Sequence, residues 1–292
     1  MGTAVVTGAR GIGYEVGRSL ARAGQRVIFG VRDLERGDRA ANTIRAECED
    51  ADVRSELLDL ADLKSVADFG ERMRARYDRL DVLVNNAGVV MPLARETTAD
   101  GFELHFGTNH LGHFALASAL LPLLRAAAAP RVVMVASLAH RRADIDFDDL
   151  QAEHSYRRMK AYKQSKLANL LFMSELQRRS DAGGWGLIST GAHPGFARTE
   201  ALLRPDDSLA KRGFSKVMSG LIPTAESAAR PIVHAATSTE VTPAGYYGPS
   251  GPGEIGGRVG PAKLAARAQD PALAARLWDV SEALTAVRFA VD

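Results

Sequence analysis

Tyr162 and Lys166 stand four residues apart in Ala161-Tyr-Lys-Gln-Ser-Lys-Leu-Ala-Asn-Leu-Leu171, a helical spacing that puts both side chains on one face. A free phenol has a pKa of about 10 and is a poor acid or base near neutrality. An ammonium beside it favours phenolate and draws that value toward the working pH, where general acid–base catalysis is worth roughly a hundred- to ten-thousand-fold. Alone, the pair reads better as a packed tyrosine beside a solvated lysine. A second chemical signal lies near the start of the chain, where Thr7-Gly-Ala-Arg-Gly-Ile-Gly13 joins an apolar run, 3–6, to a helical stretch, 14–23. Glycines between a strand and a helix let backbone pass close to a pyrophosphate, whose charge the helix N-terminus holds. The glycines at 8, 11 and 13 fit neither GxGxxG nor TGxxxGxG unless one residue is removed from the pattern.

Such groups need a scaffold, and β-branched runs at 26–31, 53–58, 81–84, 131–135 and 187–191 alternate with helical stretches near 34–48, 62–77, 99–125 and 156–180. That alternation implies an α/β fold: a single-domain, Rossmann-type, doubly wound parallel sheet over 1–292, with helices on both faces. Right-handed crossovers place every strand's C-terminal end on one side, where ligands of open sheets bind. A last helix is expected at 271–286. The connection 196–223 mixes Leu202, Leu203, Phe214, Val217, Met218 and Leu221 with basic residues, and a connection this long reads as a substrate lid. Residues 245–261 are rich in glycine and proline and hold a second GxGxxG match, Gly251-Pro-Gly-Glu-Ile-Gly256. Pro252 sits inside it and no helical pattern follows, so it reads as a surface loop.

The 292 residues are 46% hydrophobic and 25% charged, enough for a sizeable core. Lysine plus arginine number 37 against 35 acidic residues, with no long basic run, so nucleic acid is not an expected partner. Cys48 is the only cysteine, which excludes an internal disulfide and a zinc site of several thiolates. Together with a first strand that leaves no room for a signal peptide, this makes a cytoplasmic location the expectation. The longest apolar stretch, 111–124, holds His113 and Pro122 and falls short of the roughly 20 residues that span a bilayer. His110 and His113 lie three apart without a carboxylate cluster, so they read as structural and no metal is expected.

Five segments in order change the weight of the tyrosine and lysine: the turn from Thr7 to Gly13, Asn85-Asn-Ala-Gly88, Asn109 in Thr-Asn-His-Leu-Gly-His-Phe, Ser137 after a strand, and Tyr162 with Lys166. In these the chain resembles the short-chain dehydrogenase/reductase family over nearly its whole length. The stretch between Ser137 and Tyr162, with Asp146-Phe-Asp-Asp-Leu150, and the wording after Tyr162 look most like the retinol dehydrogenase-like branch. Light-dependent protochlorophyllide reductases are a more distant comparison. The resemblance implies that Tyr162 exchanges the proton with the substrate oxygen, that Ser137 holds that oxygen, that Lys166 lowers the tyrosine pKa and binds the nicotinamide ribose, and that Asn109 positions a water. It also implies cofactor contacts from Gly8, Gly11, Ile12 and Gly13, from Asp59 and the Leu60 backbone at the adenine, and from Asn86, Ala87 and Gly88 at the adenosine ribose. Pro194, Gly195 and Thr199 would face the nicotinamide end. Asp59 reads equally as a helix cap.

Cofactor choice turns on the end of the second strand, where an acidic side chain serves NAD and arginine pairs with the 2′-phosphate of NADP. Val31 is neutral, Arg32 follows, and Arg10 sits in the glycine turn, so NADP(H) is preferred and NAD(H) remains possible through Asp33. The expected activity is interconversion of a hydrophobic carbonyl compound and its alcohol. The alternatives are a redox-neutral epimerase or cyclase of the same fold and a non-catalytic dinucleotide-binding protein. The family also implies a homodimer or homotetramer through the helices bearing Tyr162 and Asn109.

Overall fold

Along the chain run β1 (Thr3–Thr7), α1 (Ile12–Arg22), β2 (Arg26–Val31), α2 (Leu34–Glu47), β3 (Val53–Leu57), α3 (Leu63–Arg76), β4 (Val82–Asn85), α4 (Gly112–Arg125) and β5 (Arg131–Val135). They are followed by α5 (Arg158–Gly183), β6 (Ile188–Ala192), α6 (Ala225–Thr237), β7 (Tyr246–Pro249), β8 (Val259–Pro261) and α7 (Pro271–Thr285). The computed structural model describes residues 1–90, 92–195 and 223–289. Within them the strands form one sheet ordered β3-β2-β1-β4-β5-β6-β7-β8, parallel except for the last pair. Residues 196–222, nearly all of the expected lid, and with them Thr199, lie outside the described residues.

Alternation within each strand divides the core into two. Val5, Ile28, Leu83, Val132 and Met134 face one layer with Phe69, Phe114 and Leu170. Ala4, Val6, Val27, Phe29 and Val84 face the other with Val16, Ile44 and Ile232. Both faces being covered, β1 and β4 are buried along their full lengths, which is why they read as continuous apolar runs. Helix starts follow local chemistry: Asp33 accepts from Arg36 N, Asp62 from Lys64 N and Ser65 N, Thr224 from Ser227 N, and Asp270 from Ala272 N and Leu273 N ahead of α7. Strand order reverses between β1 and β4, so the C-terminal ends of those strands open a crevice.

Two expectations are corrected, and one helix is added. Residues 245–261 are not simply a surface loop: they hold β7 and β8, an antiparallel hairpin that completes the sheet, and only the stretch between the strands is loop. Its proline and glycine content hid the strands. The segment 99–125 is not one helix. Gly101, at φ +86°, makes a turn, and a π-helical stretch, Phe106–Leu111, leads into α4. Helix α6 was not foreseen, although Thr224 caps it and Ala228, Ala229, Ile232, Ala235 and Ala236 are buried at helical spacing.

Helix α5 is enclosed almost all round. Its buried residues run from Ala161 to Ser180 without a solvent stripe, because β5 and β6 lie beneath it and α7 packs against it. Trp278 of α7 stacks on Phe172 at 5.7 Å, meets Phe114 edge-on at 4.9 Å, and lies 4.4 Å beneath the Arg179 guanidinium. The chain's own C-terminal helix thus covers part of the surface expected to pair with another copy. Among the described residues, no helix is long and apolar enough to cross a membrane.

Candidate active site

The glycine turn is built for close approach. The Gly8 N–H donates to Gly30 O at 2.8 Å, and Gly8 and Gly11 take φ values of +82° and +50°, which favour glycine. A Cβ on Gly13 would stand 2.3 Å from Gly8 O and 2.5 Å from Asn86 Nδ2, whereas one on Gly11 would meet nothing within 4 Å. Although one residue short of the expected pattern, the turn closes, with Gly13 N donating to Arg10 O at 3.0 Å. Gly11 is the N-cap of α1 and no side chain caps that end. Open space above backbone at the positive end of a helix fits a pyrophosphate.

The segment after β4 is laced to this turn. Asn86 N and Ala87 N both donate to Thr7 Oγ1 at 2.9 Å, and Asn86 Nδ2 donates to Thr7 O at 2.9 Å. Gly88 leads toward Asn109 and Lys166: a Cβ there would lie 3.0 Å from Asn109 Oδ1 and 3.7 Å from Lys166 Nζ. Asn109 sits in the π-helical stretch, donates from Nδ2 to Val89 O at 3.2 Å and to Ser165 Oγ at 3.0 Å, and accepts from Val89 N at 2.7 Å. It thereby ties α5 to the loop after β4.

Ser137 follows β5 by two residues, and its hydroxyl lies near enough to Tyr162 to draw the phenol pKa down. Lys166 Nζ donates to Val135 O at 3.0 Å and stands 6.0 Å from the centre of the Tyr162 ring. Five of the expected residues therefore converge, Gly88, Asn109, Ser137, Tyr162 and Lys166, at the ends of β4 and β5. The electrostatics differ from the expectation. Burial raises the Tyr162 pKa, with the Ser137 hydroxyl opposing, and burial lowers that of Lys166 to about 8. The ammonium is itself destabilised by desolvation.

The remaining expected residues divide. Asp59 does not cap α3, a task that falls to Asp62; Asp59 Oδ1 instead accepts from Ala61 N at 2.9 Å in a tight turn. Leu60 is buried, and its carbonyl lies so close to Gly112 that a Cβ there would stand 2.3 Å away. Pro194 and Gly195 follow β6 on the same side of the sheet as Ser137, with Gly195 at φ +71°. Ile12 is buried in the core at the start of α1. Arg10 and Arg32 are exposed. The Asp33 carboxylate is engaged by Arg36, through its N–H at 3.1 Å and its guanidinium at 3.0 Å.

Three buried histidine arrangements were not foreseen. His113 bridges Thr7 and Asn109, with Nε2 3.0 Å from Thr7 Oγ1 and Nδ1 3.0 Å from Asn109 O; burial holds its pKa near 4. His105 lies edge-on to Tyr162 at 6.0 Å, its Nδ1 2.7 Å from Glu103, whose carboxylate also accepts from His105 N and Phe106 N. His193 precedes Pro194 and accepts at Nδ1 from Gly195 N at 3.1 Å. The acidic residue just ahead of an apolar helical run was a readable signal for the Glu103 cap. Glu103, Asn109 and Gly195 lie within four residues of their histidines, but Thr7 and Tyr162 are far along the chain, and spacing gives no hint of those two contacts. Among the described residues, no group of three histidine, cysteine, aspartate or glutamate side chains is placed to hold a metal.

Comparison with known proteins bears on the same crevice. The profile of the family described as short chain dehydrogenase matches residues 2–204. Retinol dehydrogenase 13 of Homo sapiens is 42% identical over 246 residues, covering 82% of this chain and 73% of that protein. The crystal structure of an uncharacterized protein from Mycobacterium paratuberculosis is 40% identical, covers 99% of this chain and 95% of its own, and superposes with a TM-score of 0.82. An NAD(P)-dependent gluconate 5-dehydrogenase structure from Beutenbergia cavernae with bound NADP is 29% identical, with 81% and 89% coverage and a TM-score of 0.62. Likeness of this extent makes membership plain: the chain belongs to the short-chain dehydrogenase family of oxidoreductases acting on alcohol and carbonyl groups, in its retinol dehydrogenase-like branch.

Proposed function

We propose that the protein is an NADP(H)-dependent oxidoreductase that interconverts a hydrophobic ketone or aldehyde and its alcohol. The observation that carries the reading is the convergence of Ser137 and Lys166 on Tyr162, at strand ends that also bear the glycine turn. Gly8, Gly11, Ile12, Gly13 and the segment 86–88 would hold the dinucleotide, with Pro194 and Gly195 at its nicotinamide end. When bound, that group supplies or takes up the hydride. In reduction, Ser137 Oγ donates to the carbonyl oxygen and orients it, and Tyr162 Oη delivers the proton to that oxygen. Oxidation runs the same proton back to the phenolate. Lys166, held by Val135 O, stabilises phenolate once the ammonium is itself stabilised by a neighbouring anion.

Preference for NADP is supported by exposed Arg32 at the end of β2, by engagement of the competing Asp33 carboxylate with Arg36, and by the NADP bound in the Beutenbergia cavernae neighbour. A hydrophobic substrate is supported by the exposed apolar side chains Leu93, Met159 and Ile255. These belong to the segments after β4, at the start of α5 and after β7.

The test is a carbonyl panel that includes retinal, assayed with NADPH at 340 nm. Wild type is expected to oxidise NADPH with at least one apolar carbonyl, and Tyr162→Phe to lose about a hundredfold or more in kcat. Near-normal turnover by Tyr162→Phe excludes the assigned role. Conversion of a substrate without any absorbance change points instead to redox-neutral chemistry.

A further inference from the structure

Glu254 lies in the glycine-rich loop between β7 and β8, a segment with no part in the site as described above. Its backbone takes φ +59°, a conformation that side chains rarely adopt, between Gly253 at +65° and Gly256 at +64°. Such strain persists where surrounding contacts hold it, and the contacts of this carboxylate reach two separate turns. Oε1 accepts from the Arg141 guanidinium and, at 3.3 Å, from Lys263 N. Oε2 stands 2.8 Å from His193 Nε2, close though not aligned as a hydrogen bond. Because His193 Nδ1 accepts from Gly195 N, the ring proton sits on Nε2 and faces the carboxylate.

Each turn leads to a residue of the site. Arg141 belongs to the short 3-10 helix, Leu138–Arg142, that Ser137 caps. In the same turn His140 donates from Nδ1 to Ser137 O at 2.7 Å and accepts at Nε2 from Ala265 N at 3.3 Å, so residues beyond β8 also brace the serine. On the other side, the Glu254 carbonyl packs where a Cβ on Gly195 would lie 2.9 Å away, and the His193 ring fills the space a Cβ on Gly248 would need. The β7–β8 hairpin thus holds the Ser137 turn and the Gly195 turn through one side chain.

We infer that Glu254 is a positioning residue: its carboxylate fastens the turn bearing Ser137 to the turn Pro194–Gly195, and so sets the substrate oxygen relative to the nicotinamide face. The inference rests on the proposed oxidoreductase function for its catalytic consequence, but the clasp itself is testable without substrate. Misplacement of reacting groups by about 1 Å costs on the order of a hundredfold, whereas loss of a partly exposed ion pair such as Arg141–Glu254 does little to stability by itself.

The experiment compares full-length wild type, Glu254→Ala, Glu254→Gln and the charge-exchanged double variant Arg141→Glu/Glu254→Arg. Amide hydrogen exchange by mass spectrometry, at a melting temperature within a few degrees of wild type, reads the peptides covering 137–143 and 193–195. Exchange at least about tenfold faster in both is expected for Glu254→Ala. The exchanged pair should slow the 137–143 peptide again but not 193–195, since only the Arg141 contact is restored. Unchanged exchange in all variants overturns the clasp. With a carbonyl substrate and NADPH, kcat is expected to fall about ten- to a hundredfold while the NADPH Kd, read by fluorescence, moves less than threefold. Faster exchange with unchanged kcat overturns the positioning role. A wild type that reduces no carbonyl defeats the oxidoreductase reading instead, and the exchange data still decide whether Glu254 joins the two turns. Glu254→Gln keeps the shape, so it serves if Glu254→Ala does not fold.

Discussion

Thr7 Oγ1 lies 3.0 Å from Nε2 of His113, and this contact joins the glycine turn to Asn109. A carbonyl can only accept, so His113 Nδ1 must carry the proton it gives to Asn109 O, and Nε2 must accept from the threonine hydroxyl. The same hydroxyl oxygen accepts from Asn86 N and Ala87 N. One buried hydroxyl therefore satisfies three partners. Thr7→Val keeps the shape and takes the hydroxyl from His113 Nε2 and Ala87 N, while Asn86 N still donates to Val84 O at 3.0 Å. Since a buried group left without its partner costs about 1–3 kcal/mol, denaturant unfolding is expected to show a loss of roughly 2–4 kcal/mol. NADPH affinity should weaken alongside, and Thr7→Ser should retain both. Wild-type stability and affinity in Thr7→Val would remove the network from the account.

Buried histidines set the acid limit of stability. His110, packed among Phe106, Phe114 and Phe172, has its pKa pushed by burial to about 3, and burial holds His193 near 4. In the unfolded chain a histidine takes its proton at about 6.5. Between that value and the folded one, the unfolded state binds more protons, so stability falls as pH falls, by about 1.4 kcal/mol per pH unit for each such group. His110→Phe, which gives up the contact with Ser281, is expected to flatten the curve of unfolding free energy against pH below 6 by one proton. An unchanged slope counts against a neutral buried His110.

At the alkaline end the sign concerns Lys166. Its folded pKa, lowered by burial to about 8, lies below the value of about 10.4 expected when unfolded. From about 8 upward the folded state sheds a proton that the unfolded state keeps, so the cofactor-free protein gains stability across that window, in total on the order of 3 kcal/mol. Below 8 the desolvation cost of the ammonium is felt in full. Lys166→Met is expected to abolish this rise, and a labelled-lysine NMR titration should find one amine near 8 that moves upward when NADPH is added. A lysine titrating at the ordinary value with no response to cofactor contradicts the burial described.

Arg32→Ala tests cofactor choice. A hydrogen bond to a charged phosphate is worth about 1.5–3 kcal/mol, so the Kd for NADPH is expected to rise roughly tenfold or more with that for NADH nearly unchanged. Asp33→Asn should weaken the cap of α2 without improving NADH binding. If wild type prefers NADH and Arg32→Ala changes neither affinity, the preference assigned to the end of β2 is wrong.

How much of this could be read from residues alone depended on distance along the chain. The parallel strands were legible because burial on both faces leaves continuous β-branched runs, and Tyr162 with Lys166 because four residues is one helical turn. Ser137 and Asn109 needed the company of the other motifs, since a strand-end serine or a helical asparagine is unremarkable alone. The β7–β8 hairpin stayed hidden because Tyr246-Tyr-Gly-Pro249 and Val259-Gly-Pro261 carry residues that usually interrupt strands. Pro231 and a run of alanines concealed α6 in the same way. The His113 contact spans 106 residues, and no local pattern encodes such a pairing. The shortened glycine turn was visible at once, but only its backbone, closing through Gly13 N and Arg10 O, shows that the missing residue leaves the helix start open.

The enclosure of α5 has an evolutionary consequence. An amphipathic helix leaves its outer half free to drift, so substitutions accumulate there with a period of 3.6 residues. Helix α5 has no such margin between Ala161 and Leu176, where only Tyr162, Lys163 and Ser174 are not buried. Neutral variation has little room beside Tyr162 and Lys166, and change must come as matched substitutions in α5 and in whichever strand or helix faces it. New substrate preferences in this lineage would therefore arise in the loops at the strand ends, while the helix that bears Tyr162 and Lys166 stays nearly fixed.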